Sequence, residues 1–199
     1  MIAFAAMLLA AACAGWIIVA GAPPAARAYA RFALVLYAAL AFAVGMDARL
    51  AASVSLIVSS VAPLLFVLAL ADVVESPAST ASASLILGAG CIAGMLAAAS
   101  GVTALAFGPL LLSVIAMIAV VLRDWRHNPV ATLQGAMAAG ALLAGASSLV
   151  AGGAIALAAL CSFTSAGLLG VALSLNRRSH GVVEHVRDLR GTNAIRRFR

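Results

Sequence analysis

The chain has 199 residues, of which 65% are hydrophobic and only 9% charged, and its mean hydropathy is +1.17. A water-soluble domain needs many more polar residues to cover its surface, so this composition excludes one and makes the bilayer the solvent. The formal net charge is +6, and all twelve basic residues are arginine.

Apolar stretches of about 18 to 22 residues, charge-free except for Arg31 in the second, recur along the chain, each long enough to cross a hydrocarbon core roughly 30 Å thick. The first covers 2–21 and ends in Ala20-Gly21-Ala22, a small-residue stretch that a signal peptidase accepts. No basic residue precedes it and the first arginines follow it, which predicts an uncleaved helix rather than a leader. Pro23-Pro24 and Arg27 then lead to a second span at 29–46, which Asp47-Ala48-Arg49 closes. The third, 50–71, holds Ser53, Ser55, Ser59 and Ser60, with Pro63 removing one backbone bond. After the polar segment Asp72 to Thr80 comes a fourth span at 82–100, with Gly90 and Gly94 one turn apart. Ser100-Gly101 separates it from a fifth at 103–122.

The break at Ser100-Gly101 contains only small residues, but the uncharged run from Ser82 to Leu122 would make a helix of about 60 Å, too long for one crossing. Arg123 to Pro129 precedes a sixth span at 130–149, in which Ala136, Gly140 and Ala144 share a face suited to close helix packing, with Gly135, Ala139 and Ser147 nearby. Gln134 lies near its inner end. Gly152-Gly153 turns the chain into a seventh span at 154–175, which contains Ser162, Thr164 and Ser165. The expected fold is all-α: a transmembrane bundle of about seven helices over 1–176 and a basic tail over 177–199.

Orientation follows from the arginines. With seven spans and the N-terminus outside, Arg27, Arg31, Arg123, Arg126 and the seven tail arginines fall on one face, and only Arg49 falls on the other. Such asymmetry predicts a cytoplasmic C-terminus in an inner, cytoplasmic membrane. Fusing one hairpin into a six-span chain would split the arginine clusters across the bilayer.

Ionisable groups at mid-depth mark proton and ion paths, and this chain supplies none there. Asp47, Asp72, Glu75 and Asp124 fall at helix ends or in loops. Ser53, Ser59, Ser60 and Gln134 are the polar intramembrane candidates, as a conceivable polar path or, more simply, as hydroxyls bonded back to their own helix. Without lysine no retinal Schiff base can form, and no serine or aspartate has a partner at depth for proteolysis. Cys13, Cys91 and Cys161 lack a second ligand at metal spacing, so no cofactor or metal is expected and no enzymatic role is indicated.

Arg126-His127-Asn128-Pro129, with Gly135 seven residues after Asn128, resembles the loop of the hydrogenase-4 component E family, where an Arg-Asn pair precedes a glycine at that distance. Arg178-Ser179-His180-Gly181 after the last span, Leu189-Arg190-Gly191, and Val61-Ala62-Pro63-Leu64 are similar to further segments of that family. The resemblance implies a seven-helix subunit of formate hydrogenlyase-like assemblies related to respiratory complex I, its first part similar to subunit K. It also implies antiporter-like membrane subunits and cytoplasmic subunits as partners. The family carries a buried glutamate where this chain has Gly140, and a lysine near Val58, Ser59 and Ser60. Neither glycine nor valine binds a proton, which makes the expected role a scaffold rather than a proton relay.

The tail interleaves arginines with apolar residues. Arg177, Arg178, His180, Arg187 and Arg190, together with Arg123, Arg126 and Asn128, are the candidate contacts to membrane lipids or to a partner. His180-Gly181 is expected to turn the chain out of the membrane, with 182–189 a short amphipathic docking element. Phe198 is the tail's only aromatic residue, too few for base stacking along the arginines, which argues against nucleic acid. The alternative to a non-catalytic subunit is a stand-alone small-solute transporter or permease with its site among spans three, four and seven.

Overall fold

The computed structural model describes the backbone of residues 2–73, 80–126 and 129–196, with side chains for all of these except residue 80 and residues 176–196. Seven helices follow in order: α1 (Ile2–Val19), α2 (Pro24–Met46), α3 (Ala48–Val73), α4 (Thr80–Ser100), α5 (Ala104–Asp124), α6 (Pro129–Gly152) and α7 (Ile155–Arg196). Each contains a segment long and apolar enough to cross a membrane. No strand occurs among the described residues.

Each described break has a local cause. Pro24 opens α2 at the first helical position, where its missing N–H costs nothing. Asp47 is extended (φ −154°, ψ 140°), and its carboxylate accepts from the backbone N–H groups of Arg49 (3.1 Å) and Leu50 (3.2 Å). One residue therefore ends α2 and caps α3. The two glycine breaks, where a reader could fuse helices, are left-handed turns at Gly101 (φ 71°) and Gly153 (φ 63°). Their N–H groups donate to Ala97 O (2.9 Å) and Leu149 O (3.0 Å), so each helix ends on a capped carbonyl. A residue with a Cβ would be strained at either φ, which settles seven helices rather than six.

Packing places α3 at the hub. It contacts α2, α4, α5 and α6, while α7 lies against α1 and α6, and α1 against α2. Helices α1, α2, α3, α6 and α7 thus close a five-membered ring, and α4 and α5 cover the other side of α3. The outside is apolar as well: Phe32, Phe42, Leu85, Leu111, Leu122 and Phe163 are all more than half exposed, a surface that only lipid tolerates.

Small residues set the helix spacing. Gly90 and Gly94 of α4 pack against α3, where a Cβ on Gly94 would meet Ile57 Cα and Ser60 Cβ, each at 3.2 Å. On α6 the packing face differs from the expected Ala136, Gly140 and Ala144. Gly135, Ala138, Ala139, Leu142, Gly145 and Ala146 are buried instead, and Gly140 has open space where a Cβ would stand. A Cβ on Gly135 would run into Leu70 of α3, and one on Gly145 would stand 3.0 Å from Cys161 Cβ and 3.4 Å from Ala158 Cα on α7. An alanine-rich helix offers several small-residue faces, and its neighbours chose another one.

Helix α7 corrects a second expectation. It runs 42 residues without interruption through His180 and Gly181, so no turn leaves the membrane there. No proline follows the apolar segment, and an internal glycine costs a helix only about 1 kcal/mol. The apolar window ends at Leu175, and roughly 30 Å of helix continues beyond it.

Candidate functional site

Alternating helix directions bring the end of α1, the start of α2, the end of α3, the junction of α5 with α6 and the far end of α7 to one face, with all the described arginines except Arg49. The described acids at this end, Asp72 and Asp124, tie helices together. Asp72, near the end of α3, accepts from Ala26 N at 2.9 Å, and so caps α2 where Pro23 provides no side-chain oxygen. Asp124, the last residue of α5, is only 8% exposed and accepts from Thr132 Oγ1 on α6 at 3.0 Å. Arg123 and Arg126 are exposed. Asn128 lies outside the described residues, as do the side chains of Arg177, Arg178, His180, Arg187 and Arg190.

Arg27 and Arg31 behave differently from the rest. Both are half-buried, one turn apart on α2, and the Arg31 guanidinium stacks over the Trp16 ring of α1, 4.6 Å from its centroid.

At mid-depth, the simpler reading of the serines describes Ser59 and Ser60. Their hydroxyls donate to Leu56 O at 3.0 and 2.8 Å, and both residues are fully buried. Gly94 covers Ser60, so no polar path opens at these two residues. Ser53 and Gln134 are half-buried. Because the Ser59 and Ser60 bonds are made within one turn, Ser59→Ala and Ser60→Ala should each change stability by less than about 1 kcal/mol, as read from thermal unfolding in detergent. Of the spans considered for a transporter site, α4 packs on α3 and α5, and α7 on α1 and α6.

The ring interior holds a residue that sequence reasoning passed over. Tyr37 of α2 is 2% exposed, and its hydroxyl has no hydrogen-bond partner among the described residues. It borders a void of about 10 Å³ that Ser162 and Ser165 of α7 also line. Ser162 donates to Ala158 O within its own helix (2.7 Å), and Ser165 donates across to Ala138 O of α6 (2.8 Å). A space this size takes one water at most, not a solute. A tyrosine deep in an apolar span was the available signal, but its facing was not readable. Among the described residues no three of His, Cys, Asp and Glu gather as a metal site.

These features define a multi-pass, all-α membrane protein with seven spans. Asp47, Asp72 and Asp124 serve as caps and ties at the helix ends, and most buried hydroxyls among the described residues bond within their own helix, Thr132 and Ser165 bonding across to a neighbour. Comparisons with protein-family models, curated proteins and solved structures found no match for the chain.

Proposed function

We propose that the chain is a non-catalytic structural subunit of a larger inner-membrane assembly of the hydrogenase-4 component E-like, complex I-related kind, with its arginine-rich face in the cytoplasm. One observation carries the reading. Gly140, which stands where the resembled family has its buried glutamate, lies on a half-exposed small-residue strip with Ala136 and Ala144 that the bundle itself leaves uncovered. Such a strip lets a neighbouring subunit's helix approach closely, and with glycine in place of the acid it holds that neighbour without passing a proton to it. Asp47, Asp72 and Asp124, committed to capping and tying helices, support the same static role. The extension of α7 beyond its apolar window offers a platform for cytoplasmic subunits.

The test is affinity purification of the tagged chain in mild detergent, followed by mass spectrometry. A large antiporter-like membrane subunit and iron–sulfur partners should co-purify in fixed ratio. Gly140→Trp, placed in open space, should release them while leaving the chain's own unfolding temperature unchanged. A chain that purifies alone and by itself carries solute across proteoliposomes would overturn the reading in favour of a permease.

A further inference from the structure

Helices α1 and α2 leave between them an open groove of about 330 Å³. Leu9, Cys13 and Ile17 line one wall, and Val35 and Ala38 the other, with Trp16 at the arginine end. The groove presents only apolar atoms to the outside of the bundle and runs inward for about 12 Å along α1. That is most of one leaflet's hydrocarbon depth.

Arg31 stands at the mouth, seven residues into α2 and so roughly 10 Å below the start of that helix. A cation at that depth is costly without a counter-charge. Trp16 covers one face of the guanidinium, which leaves the in-plane N–H donors for an oxygen acceptor. Arg31 Nε is buried and has no hydrogen-bond partner among the described residues. Arg27 lies one turn earlier on the same helix face, and two like charges at that spacing repel unless an anion sits between them. The nearby Asp72 carboxylate already accepts from Ala26 N.

We propose that this groove seats one anionic phospholipid from the arginine-side leaflet, with an acyl chain lying along Trp16 to Leu9 and the phosphate held by Arg31 and Arg27. The apolar wall selects a chain, the stacked and unsatisfied guanidinium selects a phosphate, and the two lie end to end in the order that a phospholipid presents them. The site does not depend on the subunit reading.

The experiment uses the full chain in detergent, titrated with phosphatidylglycerol or with phosphatidylcholine of matched acyl chains. Bound lipids are counted by native mass spectrometry and thermal unfolding is followed in parallel. Phosphatidylglycerol should be retained one molecule more per chain than phosphatidylcholine and should raise the unfolding temperature, whereas inorganic phosphate should do neither. Arg31→Gln should weaken that retention at least about fivefold. Val35→Trp, at a half-exposed position, should abolish it with every charge intact, and it decides the question if Arg31→Gln does not fold. The proposal is overturned if the two lipids are retained alike, or if Val35→Trp leaves phosphatidylglycerol retention at the wild-type level. It is equally overturned if Val35→Trp removes a bound protein or dissociates a dimer instead of a lipid, which would make the groove a helix-docking surface.

Discussion

Gly94→Leu will not yield a monodisperse, folded protein, while Gly88→Leu, less than two turns away on the same helix, will. At Gly94 a Cβ alone would stand 3.2 Å from Ile57 Cα and from Ser60 Cβ, and one of these is backbone in the middle of the hub helix. A leucine there cannot be absorbed by turning a side chain, so α4 must move away from α3. Overpacking of this kind costs about 1 to 3 kcal/mol where the core can adjust, and more where backbone blocks it. No hydrophobic drive pulls the helices back together in lipid, because hydrocarbon solvates the separated faces equally well. Gly88 has nothing within 4 Å of its Cβ position and faces outward. Size-exclusion chromatography and thermal unfolding of both variants make the comparison. Equal behaviour would mean that α4 does not sit on α3 as described.

Asp124→Leu should lower stability by about 1.5 to 3 kcal/mol, the range for a hydrogen bond to a charged group. The substitution removes the acceptor that ties α5 to Thr132 of α6, and Thr132 is fully buried. Asp124→Asn keeps an oxygen able to accept from Thr132 and should recover most of the loss. Unfolding by denaturing detergent, run on all three proteins, separates the two cases. If Asn and Leu are equally damaging, the carboxylate charge rather than the tie to Thr132 carries the effect.

Much of this architecture was legible in the residues because the signals were local. Length of apolar run, the glycines at 101 and 153, Asp47 between two helices and the one-sided arginines each act within a turn or two, or through simple charge counting. The seven-helix order needed nothing else. The back-bonding of Ser59 and Ser60 is equally local, since a serine hydroxyl within a helix reaches a carbonyl three or four residues earlier.

The relations between helices were not legible. Helices α3 and α5 are about equally apolar, yet 89% of the α3 window is buried against 28% for α5. In water a helix advertises its buried face by contrast with a polar one, but here the lipid-facing side is as apolar as the core and the contrast vanishes. The same loss of contrast hid which small-residue face of α6 packs inward, the burial of Tyr37, and the stacking of Arg31 on Trp16. Asp72 and Asp124 were readable as helix-end acids, but their partners Ala26 and Thr132 belong to other helices.

The residues alone therefore determined that the chain lives in a membrane, how many times it crosses and where the spans are joined, though not that α7 continues past His180-Gly181, because bilayer thickness, glycine geometry and charge asymmetry act on each segment separately. Only the tertiary structure decided that α3 is the hub, that five helices close around Tyr37, and that Gly140 and the α1–α2 groove remain open to the outside. Those choices are made by van der Waals fit between apolar surfaces, and fit depends on the shape of the neighbour, which no single segment encodes.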